Sequence, residues 1–133
     1  MTESPPGSVG WRDLTVDDAP RLRDFYAAVA GWTAVPIDMG GYDDYAMVPP
    51  GGGAPVAGIC HRRGPNQDLP PQWLQYIVVA DLDAALAVAA ASGGRVEAGP
   101  RPAGGGRFAL VRDPAGALVG LYSAVPSGPG CGA

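Results

Sequence analysis

Hydrophobic and polar residues alternate from Val9 to Val16, with Trp11, Asp13 and Thr15 falling on one side and Leu14 and Val16 on the other, which predicts a half-buried strand. Asp17-Asp18-Ala19-Pro20 follows, and an aspartate ahead of a proline is a helix start: the carboxylate accepts from the free amides of the first turn. Leu22, Phe25, Tyr26 and Val29 then recur at helical spacing until Gly31, so a helix is expected over residues 19–30. Three shorter strands are expected at 33–38, 42–48 and 55–60, separated by Gly-Gly and Pro-Pro-Gly-Gly-Gly turns. A polar, proline-rich stretch at 61–71 reads as a linker. Beyond it the pattern restarts. Residues 73–79 predict a strand, and Asp81 caps a helix whose apolar side carries Leu82, Ala85, Leu86 and Ala89 before Ser92-Gly93-Gly94 ends it. Strands are expected at 95–98, 107–112 and 117–123, with Gly104-Gly105-Gly106 as a hairpin turn.

The restart is an internal duplication. Trp11 precedes its capping Asp18 by seven residues, and Leu74 precedes Asp81 by the same seven. Gly53-Ala54-Pro55-Val56-Ala57-Gly58-Ile59-Cys60 recurs near the end as Gly116-Ala117-Leu118-Val119-Gly120-Leu121-Tyr122, and the matched positions are 63 and 62 residues apart. The fold class that follows is α+β, two βαβββ modules forming a cupped mixed β-sheet with helices outside. Module one is set at 9–60 and module two at 72–123, with flexible ends at 1–8 and 124–133. Such a cup is a binding site by construction.

Composition narrows the partners. With 133 residues, 47% apolar and 17% charged, the chain is suited to one globular domain, and its 21 Gly and 15 Pro cluster in the loops. A net charge of −4, with all nine basic residues Arg and only Arg62-Arg63 adjacent, excludes a nucleic-acid face. No apolar stretch reaches membrane length, and the N-terminal residues lack an export pattern, so a cytoplasmic setting is expected. Cys60 and Cys131 fall in no metal-binding spacing and are too few to staple a scaffold, which agrees with a reducing compartment.

Trp11-Arg12-Asp13-Leu14-Thr15-Val16-Asp17-Asp18, then Asp24-Phe25-Tyr26 ahead of Gly31-Trp32, and finally Arg112-Asp113-Pro114-Ala115-Gly116 carry a resemblance to the vicinal oxygen chelate superfamily. That group holds glyoxalase I, extradiol dioxygenases and bleomycin-resistance proteins, and the likeness covers about residues 9–123. The resemblance implies metal ligands early in the first strand of each half and in the last strand of each half. Here those positions are Trp11, Leu74, Gly58 and Gly120, none of which coordinates a metal. Neither metal nor other cofactor is therefore expected. His61, the single histidine, sits beside two arginines and is read as a surface residue at a strand end.

In place of a metal shell, Trp11, Tyr76 and Tyr122 take the cup-facing parity of their strands, and Tyr45 and Phe108 are placed with them. Gly58 and Gly120 are expected to leave open floor for a bulky guest, with Leu74 beside them. Asp13 shares the Trp11 side and is a candidate base, set against the commoner reading of a solvated or salt-bridged aspartate. Asp43 and Asp44 are read as solvated turn residues. The function expected is a metal-independent small-molecule binding protein of the bleomycin-resistance type, contributing antibiotic resistance by sequestering a planar or hydrophobic ligand. The alternative is an enzyme of the same superfamily, glyoxalase, lyase, isomerase or dioxygenase-like, with an unusual or absent metal site. The resemblance further implies a homodimer.

Overall fold

The computed structural model describes residues 4–123. The expected tail at 124–133, and residues 1–3, lie outside the described residues. Eleven elements follow the chain: β1 (Val9–Val16), α1 (Ala19–Ala30), β2 (Thr33–Asp38), β3 (Asp43–Val48), β4 (Ala57–His61), a 3-10 turn (Gly64–Asn66), β5 (Trp73–Val78), α2 (Leu82–Ala91), β6 (Arg95–Ala103), β7 (Gly106–Arg112) and β8 (Leu118–Ser123). Packing divides them into two compact units: Arg12–Trp73, and the chain from Leu74 onward together with the segment that ends at Trp11.

In the first unit the strand order is β2-β3-β4-β1, with β1 parallel to β4 and the other pairs antiparallel. Helix α1 begins where Asp18 accepts the amide of Arg21 at 3.2 Å, and it ends where Gly31 turns left-handed at φ 72° to bond back to Ala27. A side chain at Gly31 would also meet the ring of Pro50, so glycine is required there on both counts. Leu14, Val16, Tyr45, Met47 and Ile59 form the buried core against Ala19 of the helix, with Leu22, Tyr26, Trp32 and Trp73 packed around it. The Trp73 indole donates to the Tyr26 hydroxyl at 3.0 Å, satisfying the one polar atom of each ring in an otherwise apolar cluster.

The second unit repeats the motif as β5-β8-β7-β6, with β5 parallel to β8. Asp81 caps α2 through the amide of Ala84 at 3.1 Å. Leu82 and Leu86 pack on Ala109 and Val111, with Val79, Val119 and Leu121 beside them. Strand β6 runs to Ala103, five residues past the expected end. Two register shifts against β7, between Val96 and Ala98 and between Ala98 and Arg101, let it continue through Gly99-Pro100 and Pro102, residues that a regular strand would not carry. Gly7 donates to the carbonyl of Val78, and Val78 to that of Ser8, so this part of the expected flexible N-terminus is bonded to β5.

The duplication is visible in the hydrogen-bond ladder. Asp13 lies opposite Gly58 in β1–β4, and Tyr76 lies opposite Gly120 in β5–β8. Asp13 and Tyr76 are 63 positions apart and Gly58 and Gly120 are 62, the offsets found in the sequence.

Candidate functional site

Each sheet has a face on its helix and a face turned away from it, and the predicted site residues sort by that division. In the second unit Tyr76, Val78, Phe108, Leu110, Gly120 and Tyr122 are register partners on the face away from α2, since Ala109, Val111, Val119 and Leu121 occupy the helix side. Leu74 shares the parity of Tyr76 and is buried. Tyr76, Phe108 and Tyr122 thus share one face of this unit. Tyr76 meets Phe108 edge to face at 5.7 Å between centroids. Tyr122 is 1% exposed, and burial pushes its phenol above the ordinary value.

The expectation of open floor at Gly120 is corrected. A β-carbon there would run into Cδ2 of Tyr76, so the tyrosine ring fills the space above the glycine. Gly106 is likewise covered by Tyr122, whose hydroxyl would meet an added β-carbon at 2.7 Å. At Gly120 the ring of Tyr76 leaves no room for a side chain, and at Gly106 the backbone carbonyl of Ser123 and the Tyr122 phenol together leave none.

Tyr45 is also corrected. It belongs to the helix-side core of the first unit. Arg23 donates to its hydroxyl at 3.2 Å and stacks its guanidinium 5.0 Å from the ring centroid. Alternation explains the error: Tyr45 and Met47 point to α1, and Asp44 and Ala46 point away.

The face away from α1 is unexpectedly polar. Asp13, opposite buried Gly58, is 5% exposed, Thr15 is 4% and Asp44 is 1%. The solvated reading of Asp44 is thus overturned, and of the two ordinary readings of Asp13, solvated or salt-bridged, burial removes the first. Asp44 Oδ1 accepts the backbone amide of His61 at 2.8 Å and lies 3.2 Å from its Nδ1. Burial raises the Asp44 pKa, while the two bonds from His61 and the nearby charge of Arg63 oppose the rise. His61 does end a strand, yet its side chain is docked rather than free, with Tyr42 edge-on at 5.2 Å. The sequence showed Asp44 only as the second of two acidic residues after Tyr42, where strand parity was the available signal. Cys60, beside His61, is buried. Trp11, half-buried in β1, groups with the second unit.

The donor set does not fit the metal that the superfamily's chemistry uses. Trp11, Leu74, Gly58 and Gly120 offer no oxygen, nitrogen or sulfur ligand suited to a divalent ion. Among the described residues no three His, Cys, Asp or Glu side chains are grouped to hold one.

The sequence matches the Glyoxalase/Bleomycin resistance protein/Dioxygenase superfamily over residues 8–121. The chain belongs to that family. Among curated relatives, "Putative glyoxylase CFP32" of Mycobacterium tuberculosis is 35% identical over 129 residues, covering 89% of this chain and 46% of the relative. "Anthracycline biosynthesis protein DnrV" of Streptomyces peucetius is 36% identical over 128 residues, covering 94% of this chain and 46% of that protein. The chain thus spans about half the length of the curated relatives it matches. Among solved structures, a methylmalonyl-CoA epimerase of Streptomyces coelicolor aligns with TM-score 0.59 at 18% identity, covering 91% of this chain and 99% of the other. The Mn(II)-bound glyoxalase of Novosphingobium aromaticivorans aligns with TM-score 0.58 at 20% identity, covering 93% and 41%. The α+β glyoxalase/bleomycin-resistance-like fold is shared with both. No helix among the described residues is long and apolar enough to cross a membrane.

Proposed function

We propose that this member of the superfamily binds a planar, largely hydrophobic small molecule without a divalent metal. The observation that carries the reading is the donor set: the strand register of the two modules is kept, while the four positions where the family places metal ligands hold Trp, Leu and two Gly. Residues proposed to face the ligand are Trp11 and Leu74, with Tyr76, Phe108 and Tyr122, all of one unit, forming an aromatic backing. The anthracycline name of one relative supports a polycyclic, planar guest. Titrating the purified chain with planar polycyclic aromatics, followed by tryptophan fluorescence, tests the proposal. Saturable quenching at one site per chain is expected; silence across a broad panel refutes it.

A second reading is supported by the buried polar face of the first unit and by the glyoxylase name of a relative. In it the chain is a metal-independent enzyme, with Asp13 as the base that removes a proton from the bound molecule. In Asp13→Asn the enzyme reading expects turnover of a substrate to be lost; full turnover in that variant refutes it. We further propose that the chain works as a homodimer in the cytoplasm, which light scattering and fractionation would test.

A further inference from the structure

The two modules differ at the exit of their helices. Gly31 in the first and Gly93 in the second both turn left-handed, and a β-carbon on either would meet a proline ring, Pro50 at 3.1 Å and Pro114 at 3.5 Å. The open end of the hairpin that follows is paired as Thr33 with Val48 in the first module and as Arg95 with Arg112 in the second. The first module thus builds this corner without arginine. Two like charges directly opposite in an antiparallel ladder are unfavourable, and such a local conflict marks a site more often than a scaffold. Around the pair lies a cavity of about 320 Å³, lined by Gly93, Gly94 and Arg95 from one segment and Arg112, Asp113 and Pro114 from another, all within the second unit. Its size falls in the range of small-molecule sites.

Both guanidinium groups converge on one carboxylate oxygen. Arg112 Nε donates to Glu97 Oε1 at 2.9 Å, and Arg95 Nη2 lies 3.6 Å from the same atom. Glu97 falls at the register shift between Val96 and Ala98, outside the regular ladder. The bond from Arg112, helped by the charge of Arg95, holds its carboxyl below the ordinary value, so Glu97 is an anion shared by two cations. Arg112 is further fixed by the carbonyl of Gly116, which accepts from Nη1 at 3.0 Å and leaves Nη2 uncommitted among the described residues. Arg95 is held loosely, beyond hydrogen-bond distance and with 71% of its side chain exposed, and an ion pair of that kind is readily exchanged. Asp113 adds a negative charge to the wall, although its Oδ1 is taken up by the amides of Ala115 and Ala117. A guest with a single negative charge is therefore favoured over one with two. We propose that this cavity is a second ligand site, which takes a carboxylate with one oxygen on Arg112 Nη2 and the other on Arg95, swung away from Glu97. It is independent of the planar-ligand reading above.

Amide spectra of the 15N-labelled full chain test it by titration with acetate, with chloride at equal ionic strength as reference and inorganic phosphate as the dianion. Acetate should move the amides of Gly93, Gly94 and Gly116 and the Nε–H of Arg112, saturating with a Kd of about 1–10 mM, as two hydrogen bonds to charged groups supply. The phosphate dianion should bind more weakly. Arg95→Gln should weaken acetate about tenfold, the size of one such bond. Glu97→Gln removes the internal competitor and should tighten acetate, a gain that arginines serving only to brace the hairpin would not give. No saturable shift beyond that of chloride, phosphate binding tighter than acetate, unchanged affinity in Arg95→Gln, or no gain in a folded Glu97→Gln each overturns the proposal. Should Glu97→Gln fail to fold, as its spectrum would show, Arg95→Gln still decides.

Discussion

Replacing Gly120 by alanine tests the account of the second unit directly. The added methyl group would run into Cδ2 of Tyr76 and sit 2.5 Å from its Cε2 and 2.9 Å from its Cγ, all inside van der Waals contact. Tyr76 has little room to yield. It is 8% exposed, lies directly opposite Gly120 in the parallel β5–β8 pair, and meets Phe108 edge to face. Inserting a methyl into such packing costs about 1–3 kcal/mol. The alanine also restricts the unfolded chain, which offsets roughly 0.4–1 kcal/mol where the backbone is compatible. The net expectation is a loss of about 1–2 kcal/mol. Gly51 is the control, because a β-carbon there meets nothing within 4 Å and its φ is not in the left-handed region. Gly51→Ala should be neutral or slightly stabilising. Urea unfolding of both variants reads the difference as a change in midpoint at constant slope. In a Tyr76→Ala background, itself destabilised by loss of the buried ring, adding Gly120→Ala should cost little further, since the ring is the obstacle. A Gly120→Ala midpoint indistinguishable from that of Gly51→Ala would refute the claim that the ring occupies this space.

The two helix caps should be energetically equivalent. Asp18→Ala and Asp81→Ala each remove a side-chain acceptor from a first-turn amide and should each cost about 1 kcal/mol in denaturant unfolding; a cost in only one would break the equivalence of the modules. Asp44→Asn should show a pH signature. Burial raises the folded-state pKa of Asp44, so the stability linked to its proton is complete below the ordinary aspartate range and is lost as pH rises through the raised value. Asparagine keeps an acceptor for the His61 amide and does not titrate, so the variant should gain on the wild type as pH rises across that window, and the opposite slope would contradict the assigned cause. Zinc, nickel, manganese or iron(II) should leave the thermal midpoint unchanged, whereas a ligand at one hundred times its Kd adds about 2.7 kcal/mol; a metal-induced rise would overturn the reading of the donor set.

Much of the architecture could be read before any coordinate because the signals were local. Asp18, Pro20 and Gly31 bracket α1, and period-two alternation placed Leu14 and Val16 toward the helix and Asp13 and Thr15 away from it. Strand β6 was read too short, since Gly99, Pro100 and Pro102 signal a turn and only the shifted pairing with β7 accommodates them in a strand. The site was less legible for a different reason. Parity assigns a side chain to a face but says nothing of what fills the space above it, so a glycine such as Gly120 reads as open floor where a neighbouring ring in fact lies across it. For Tyr45 the signal is alternation within β3 (Asp43–Val48), which sets Tyr45 and Met47 against α1 and Asp44 on the opposite face, and aromatic character alone does not carry it. The Asp44–His61 pair joins residues 17 apart, and its meaning depends on the β3–β4 register, which local pattern does not supply.

Trp32 and Trp73 meet almost perpendicularly, 85° between planes and 5.9 Å between centroids, although 41 positions separate them. Two indoles this close couple their transitions and give a paired circular-dichroism band that neither shows alone. That band appears only once the exit of α1 and the start of β5 have been brought together. It therefore offers an intrinsic optical marker for closure of the Arg12–Trp73 unit, distinguishable from Trp11, the tryptophan grouped with the other unit.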